Sequence, residues 1–496
     1  MNHNKTNHIL SKSTFIRGSI CKKSLWLYKN RRDLIPAISE SKQFIFDQGH
    51  QVGELAHQLF PGGVDASPAT PYNYQPSIEM TVKLVAEGAP VIYEAAFQYD
   101  GVLAALDILV KKEDGWYAYE VKSSTRVHDI NITDAALQFW VMTNCGIELK
   151  DISIIHLNNE YERHGEIEVE KLFTIESVYP LAVALQDEIS EMVAELKNVV
   201  IGSNCPETLI GKQCTSPWTC DFKEHCWKDV PDESILDLGY YRKTEERFRQ
   251  YHSGVRKISD VKEWKQFKPP YNYVVEAHIN RGIYLNKEPL REFLDKIVYP
   301  IHFLDFETIR FAVPKFQRTN PYEQTPFQYS LHTIESKNYE PVSRAYLAEP
   351  GKDFREDFLI TLLRDLGTDG TILVWNVGFE RSKLRHLSIL FPKYESQIEA
   401  VIERLIDLAL PFYKKWFYHY KFSGSYSIKQ VLPVVAPKLS YKNLTVNNGD
   451  DASVLFMKMM AEPDKDWSTE RKNLVEYCGL DTWAMVVIYR FLKTLA

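Results

Sequence analysis

Three sets of side chains in this 496-residue chain have the types and spacing to do chemistry. The first lies in Tyr119-Glu120-Val121-Lys122, which reads as a strand. Alternate strand residues share a face, so Glu120 and Lys122 point the same way. Asp107 falls in the preceding run, across the turn Glu113-Asp114-Gly115, and a hairpin would bring it beside them. Two carboxylates and an ammonium on adjacent strands suit metal-dependent hydrolysis of a phosphodiester. The carboxylates would hold Mg²⁺ or Mn²⁺, ions that prefer oxygen ligands. Such an ion polarises the phosphate and lowers the pKa of a bound water. The lysine would steady the attacking water or the growing negative charge. His57, closing Gly53-Glu54-Leu55-Ala56-His57 on a predicted helix, is a candidate further ligand, and Glu94 a further acidic group.

The second set is sulfur. Cys214, Cys220 and Cys226 are spaced C-x5-C-x5-C, and Cys21 lies far upstream. Four soft thiolates suit either a [4Fe–4S] cluster or zinc. A shared ion or cluster would close a loop of about 200 residues, where a cross-link restricts the unfolded chain strongly. Cys205 is near enough in sequence to compete as a ligand, and Cys145 and Cys478 are expected in the core.

The third set is acidic again. Ile301-His302-Phe303-Leu304-Asp305-Phe306-Glu307 is an apolar strand ending in D-x-E, with both carboxylates on one face. Asn376-Val377-Gly378-Phe379-Glu380 runs from a strand into a helix, and Tyr477 and Asp481 stack one helical turn apart. Acids from separate elements, converging with a tyrosine, make a seat for two metal ions ~3.5–4 Å apart. One ion would activate water and the other neutralise the departing 3′ oxygen, with Tyr477 orienting the attacking water through a hydrogen bond.

Elements must carry these groups. Val91–Tyr99, Leu103–Lys111 and Trp116–Val121 read as strands separated by hairpin signals. Glu176 to Val200 reads as one amphipathic helix, with Val178, Leu181, Leu185, Ile189, Met192, Leu196 and Val199 at spacings of three and four. Ile301–Phe306 and Thr371–Trp375 are further strands, and a last helix begins near Ser468, an expected N-cap. Two tracts mix basic and aromatic residues, 240–257 and Tyr413–Phe422; such a mixture can stack bases and hold phosphates, but an amphipathic helix with its aromatics in the core is the weightier reading.

Composition bounds the rest. Hydrophobic residues make up 45% and charged residues 25%, which excludes bulk disorder. With 59 basic and 66 acidic side chains the net charge is −7, so nucleic acid is not held by global positive charge. No apolar run is long enough to span a membrane, and the N-terminus lacks the apolar core of a signal peptide, so a cytoplasmic location is expected. No GxxxxGK[ST] occurs, which argues against a P-loop motor.

The D…E-x-K strand pair, together with Gln138 on the helix that follows and the cysteine layout, resembles the PD-(D/E)XK nucleases of the RecB type. The resemblance is to the branch that carries an iron-sulfur cluster, as in CRISPR-adaptation exonucleases. It implies a restriction-endonuclease-like α/β fold and metal or catalytic roles for His57, Asp107, Glu120 and Lys122. It also implies a [4Fe–4S] staple on Cys21, Cys214, Cys220 and Cys226, and a nucleic-acid contact at Gln138. Met142 stands where that helical motif has tyrosine. The third set resembles the DEDD exonucleases of the DnaQ type, in the tyrosine variant, which implies a ribonuclease H-like α/β fold. Asp305 and Glu307 match the first motif, Asn376 to Glu380 the second, and Tyr477 with Asp481 the third; Glu380 stands where that family has aspartate. The whole chain is similar to bacterial fusions of the two. The expected domains are residues 1–230, a connecting segment 231–295, and residues 296–496.

The function these readings imply is a metal-dependent nuclease with two sites, exonucleolytic on single-stranded DNA or RNA ends. The alternative is a nucleic-acid binding adaptor with one or both sites inactive. Protein purified without oxygen is expected to be brown and to bleach on reduction; a colourless protein holding stoichiometric zinc would overturn the cluster.

Overall fold

The computed structural model describes residues 8–71, 73–238 and 244–496. The chain is mixed α/β and divides into two compact units. Met1–Lys228 with Phe311–Glu323 forms one, and Asp229–Arg310 with Gln324–Ala496 the other. Residues 231–295 thus group with the second unit. The short segment 311–323, which follows Asp305 and Glu307 in sequence, groups with the first.

The first unit is built on seven strands: β1 (Leu10–Ser11), β2 (Val64–Asp65), β3 (Val91–Tyr99), β4 (Val102–Lys112), β5 (Gly115–Lys122), β6 (Leu149–Leu157) and β7 (Phe173–Ser177). Their order is β2-β3-β4-β5-β6-β7, with β1 paired to β4. β3, β4 and β5 form an antiparallel meander, and β5 pairs with β6 in parallel. The hairpin strands fall where alternation and the turn residues put them. The central strands are apolar on both sides because helices cover both. α1 (Lys12–Ile20), α2 (Lys22–Asn30), α3 (Glu40–Ala56), α4 (Gln75–Glu87) and α5 (Asp129–Asn144) provide much of that cover. Phe15 of α1 and Leu137 and Val141 of α5 pack into one core, and Val52 and Ala56 of α3 into a second with Ile108 and Ile155.

The helix expected over Glu176–Val200 is two helices, Tyr179–Ala184 and Gln186–Ile201, and its first residues belong to β7. Glu176 and Ser177 pair with Ile154 and Ser153 of β6, and Pro180 can stand only in the first turn of a helix. Leu181 consequently lies 51% exposed while Val178, Ile189 and Leu196 are buried.

The second unit holds β8 (Ile283–Leu285), β9 (Ile301–Ile309), β10 (Thr325–Ile334), β11 (Val342–Leu347), β12 (Thr371–Val374), β13 (Leu405–Asp407) and β14 (Phe417–His419). Five of them form a sheet in the order β11-β10-β9-β12-β13, and β14 pairs with β8. β9, β10 and β11 are antiparallel, whereas β9, β12 and β13 run parallel. One face packs Leu304 and Phe306 against Phe358, Leu362, Leu384 and Leu387. The C-terminal helix Ser468–Leu495 packs against β10: Gln328 donates to the Leu474 carbonyl at 2.8 Å, and Ser330 and His332 meet the Thr482 hydroxyl at 2.7 and 2.8 Å. Those polar bonds fix the rotation of the helix, and with it Tyr477, Cys478 and Asp481. Ser468 is the first helical residue, and Trp467 holds the N-cap position in its place. Among the described residues no helix is long and apolar enough to cross a membrane.

Candidate functional site

Each unit gathers one set of acids. In the first unit the register pairs Tyr93 with Ile108 and Ile108 with Tyr119. One step along, Glu94, Asp107 and Glu120 form a row across β3, β4 and β5. Glu94 sits at φ +52°, in the left-handed region that costs a non-glycine residue energy, inside a strand. Asp107 accepts from the Val121 amide at 2.5 Å. Glu120 is only 2% exposed and carries three partners. Lys12 and Lys122 each donate to its Oε1 at 2.7 Å, and Gln138 donates to Oε2 at 2.9 Å. Lys122 also reaches Asp134 at 2.6 Å.

These contacts set the protonation. Burial pushes Glu120 up, but the Lys12 and Lys122 ammonium groups outweigh it and hold the carboxyl down at about 2. Burial, then the Glu120 charge, push Asp107 up to about 8. Burial also raises Glu94. Burial lowers Lys122, yet Glu120 and Asp134 together raise it above the ordinary lysine range. One strongly ionised acid therefore stands beside two that burial keeps from ionising, even though Lys12 draws both of those down. That is a donor set of oxygen atoms suited to a hard divalent cation.

Two sequence expectations need correction here. His57 does not join the row. α3 ends at Ala56, and the turn that follows lays the His57 ring on Tyr93, centroids 4.0 Å apart. Its neighbouring charges are Asp65 and Glu54; the α3 histidine whose charge reaches Glu94 is His50, two turns earlier. Gln138 is fully buried and bonded to Glu120, so it positions that carboxylate and is closed to nucleic acid. Lys12 and Asp134 escaped the sequence reading. Asp134 precedes Gln138 by one helical turn, a readable spacing, whereas Lys12 comes from α1 with no local signal.

The four cysteines of the second set are neighbours. Burial raises the Cys226 thiol, and Cys214, Cys220 and Cys21 all add to the rise against the opposing Lys23 charge. Burial likewise raises Cys21, with Cys220 and Cys214 adding. The loop is shaped by its own backbone: the Cys220 amide donates to the Cys214 carbonyl at 3.0 Å and the Cys226 amide to the Phe222 carbonyl at 2.9 Å. None of the four is in a disulfide. Cys205 has Lys23 as its charged neighbour. Cys145, expected in the core, is exposed at the end of α5.

In the second unit β9 presents Asp305 and Glu307, and the C-terminal helix presents Cys478 and Asp481. Asp305, Glu307 and Cys478 each place a ligand-type atom within 4.8 Å of the others. Cys478 is buried in the core, as expected, and its Sγ lies 3.8 Å from Asp305 Oδ2. The Tyr441 hydroxyl donates to Asp481 at 2.7 Å, and Lys429 donates to the Tyr477 hydroxyl at 3.4 Å. Glu380, 1% exposed in the first turn of the helix Val377–Leu390, has an Oε2 with no hydrogen-bond partner. That helix starts at Asn376, held at φ +77°, with the Asp407 carboxylate accepting from the Asn376 and Val377 amides at 3.1 and 3.3 Å.

Burial drives Asp305 well above the carboxylate range, and Asp481, Glu307 and Glu380 add their repulsion. Burial and the Asp481 charge bring Glu307 to about 8 against the Lys429 ammonium. Burial brings Glu380 to about 8, with Asp407 adding. Burial raises Asp481 only to about 6, because Tyr441 and Lys429 oppose it. The structure therefore brings together Asp305, Glu307, Asp481, Tyr477 and, through its field on Asp305, Glu380. Its orphaned carboxylate oxygen fits a site awaiting positive charge. Tyr441 and Lys429 escaped the sequence reading, since neither sits at a fixed spacing from the acids.

Of the two readings of the basic-aromatic tracts, the described rings favour the core. Tyr240, Tyr241, Arg242 and Lys243 lie outside the described residues. Phe248 and Tyr251 are buried, as are Phe417, Tyr418 and Phe422, so these rings are core and not a platform for bases. Tyr413 is exposed.

Residues 302–427 match a family model described as a domain of unknown function, DUF2779. The match takes in Asp305, Glu307 and Glu380 and stops short of Tyr477 and Asp481. The chain is similar to the uncharacterized protein MG366 homolog of Mycoplasma pneumoniae, 29% identical over 210 residues, which is 38% of this chain and 32% of that protein. It is also similar to the uncharacterized protein UU173 of Ureaplasma parvum, 25% identical over 217 residues, 39% of this chain and 31% of that protein. The matched region thus spans about a third of the length of each of these curated relatives.

A carboxyl whose pKa is raised by folding favours the folded state while protonated and penalises it once ionised. Asp107, Glu307 and Glu380 reach about 8 and Asp481 about 6, so stability in chelator should fall as pH rises from the ordinary carboxylate range through about 8. Glu120, held at about 2, adds stability that is lost only in strong acid. The thermal midpoint in chelator should therefore drop as pH rises from about 4 to about 8, and Mg²⁺ or Mn²⁺ should restore it. Asp305→Asn should raise the chelator midpoint at alkaline pH. A midpoint indifferent to both pH and cation would contradict this charge balance.

Proposed function

We propose that the chain is a metal-dependent nuclease with one phosphodiester-hydrolysing site in each unit, acting on single-stranded ends of DNA or RNA. The observation that carries the reading is that two separate sets of carboxyls are gathered in buried places, where burial and mutual repulsion keep them from ionising together. The topology supports it. In the second unit three antiparallel strands continue into parallel ones in the order β11-β10-β9-β12-β13, as in a ribonuclease H-like sheet. The antiparallel β3–β5 meander joined in parallel to β6, with acids in a row, agrees with a restriction-endonuclease-like domain.

Bound divalent ions would supply the Lewis acidity that polarises the phosphate and generates a nucleophile near neutral pH. The chain's own residues do the rest. Asp107 and Glu120, and in the other unit Asp305, Glu307, Glu380 and Asp481, would hold the cations. Lys122 is anchored between Glu120 and Asp134, so its ammonium is already in place to meet negative charge growing on the phosphate. Gln138 and Lys12 fix Glu120. In the second unit Lys429, anchored on the Asn447 carbonyl, stands 3.4 Å from the Tyr477 hydroxyl, which would orient an attacking water. Tyr441 fixes Asp481. The four neighbouring cysteines are read as a [4Fe–4S] staple, with zinc as the alternative. An adaptor reading draws on one feature, the Glu120 oxygens that are already bonded to Lys12, Lys122 and Gln138.

End-labelled single-stranded DNA and RNA, incubated with Mg²⁺ or Mn²⁺, test the proposal. Cleavage should vanish in chelator. Asp107→Asn and Asp305→Asn should each remove one component of it, by more than the roughly 10–100-fold that outer-shell changes cost metal sites. The double variant should be inactive. Cleavage that survives both substitutions, or none on any substrate, would favour the adaptor.

A further inference from the structure

One thiol of this chain stands among acids. Cys478 is fully buried on the C-terminal helix, three residues before Asp481 and so on the same helical face. A cysteine that only packs behaves as a small apolar group and belongs among others of its kind. The charges that weigh most on Cys478 are instead those of Asp305, Glu307 and Asp481. Its one proton has two acceptors, both distant: the Asp305 carbonyl at 3.9 Å and Asp305 Oδ2 at 3.8 Å. Bonds that weak do not account for a polarisable sulfur at this position.

Among the described residues, Asp305, Glu307 and Cys478 each offer a ligand-type atom, and these atoms lie within 4.8 Å of one another. Around a tetrahedral zinc ion, with Zn–S about 2.3 Å and Zn–O about 2.0–2.2 Å, neighbouring ligand atoms stand roughly 3.5 Å apart. The Sγ to Oδ2 separation of 3.8 Å needs little closing to reach that. A second observation points the same way. Glu380 is 1% exposed, its charge acts on Asp305, and its Oε2 has no hydrogen-bond partner. A buried acceptor left open beside two carboxyls and a thiol fits a missing cation.

The ligand types say which cation. Mg²⁺ demands a near-octahedral set of oxygens and gives up its water reluctantly. A thiolate is soft and selects zinc-like ions over Mg²⁺. Three protein ligands with one position left open is also the layout of zinc sites that act on a bound molecule, whereas structural sites close with four.

We propose that the second unit's site binds a zinc-class ion on Asp305, Glu307 and Cys478, and binds it in preference to Mg²⁺. The proposal rests on the reading of these acids as a cation seat and adds the sulfur that selects the ion. Mg²⁺ or Mn²⁺ fills the same oxygens when no zinc is present. The Cys478 proton passes to solvent as the zinc-class ion enters.

Co²⁺ stands in for zinc and reports sulfur ligation through a thiolate-to-cobalt charge-transfer band in the near ultraviolet. The titration uses the full chain, with the metal content of the four-cysteine set matched between variants so that this set cancels in the difference spectrum. The unaltered chain minus Cys478→Ser should show the band, and excess Mg²⁺ should not erase it. In competition with a coloured chelator, Cys478→Ser should weaken Zn²⁺ binding at this site by more than the roughly 10–100-fold that outer-shell changes cost, while Mg²⁺ affinity moves no more than a few-fold. Asp305→Asn should also remove the band with the thiol still in place, and it is the second arm if Cys478→Ser fails to fold. A featureless difference spectrum, an unchanged Zn²⁺ affinity in Cys478→Ser, or a band that Mg²⁺ erases overturns the proposal. If that happens while Mn²⁺-dependent cleavage is still lost on Asp305→Asn, the nuclease reading stands without it. If the band appears and no substrate is cut, the zinc site stands and the nuclease reading falls.

Discussion

Carboxylates that share a water-poor pocket repel one another, and burial taxes each charge separately. Both units accept that strain. The first places three acids in a row across adjacent strands, and the second brings acids from β9, from the helix Val377–Leu390 and from the C-terminal helix to one place. A chain selected only for stability would replace such groups by apolar ones of similar volume, a change that is often neutral or favourable. Their retention in two places, on two different sheets, is the feature around which the surrounding structure is arranged.

The two sites relieve the repulsion differently. In the first, Lys12 and Lys122 converge on Glu120 and keep it ionised, while Asp107 is left to take up a proton at about pH 8. The lysines arrive from opposite parts of the chain, one on α1 and one on β5, so the N-terminal helix is part of the site and not a separate cover. In the second site Lys429 is a nearby ammonium among the described residues, and it donates to the Asn447 carbonyl at 2.6 Å and to the Tyr477 hydroxyl at 3.4 Å. Hydrogen bonding takes over some of its work, through Tyr441 on Asp481. Protons must supply the rest, and that is why Asp305, Glu307 and Glu380 all rise. Sharp backbone features mark the same places: Glu94 and Asn376 both hold positive φ beside the acids. Strain of this kind persists where neighbours over-determine it.

The strands carrying the acids were legible because period-two alternation and Gly-containing turns are local signals. β3 runs over Val91–Tyr99 as read, and β9 extends the expected strand to Ile309 so that both carboxylates fall inside it. The convergence of Asp107 on Glu120 was legible for the same reason, since a hairpin fixes its own register. What local pattern could not supply was partner choice across the chain. Lys12 meets Glu120 over 108 positions and Tyr441 meets Asp481 over 40, and no spacing rule links them. His57 is still helical, in the 3-10 turn that continues α3, and its ring stacks on Tyr93, a placement that sequence position on a helix does not reveal. The aromatic tracts stayed open between core and base-stacking because composition cannot say which rings face inward; Phe248, Tyr251, Phe417, Tyr418 and Phe422 do. The broken helix at Pro180 was readable in principle and shows apolar periodicity overriding a residue that should have ended the reading.

Diffraction from crystals soaked in Mn²⁺, recorded where manganese scatters anomalously, would locate the cations themselves. Anomalous peaks should stand between Asp107 and Glu120 in the first unit and among Asp305, Glu307 and Asp481 in the second, and should disappear when the aspartates are changed to asparagine. Ordered carboxylates with no manganese beside either group would contradict the view that these acids are gathered to bind it.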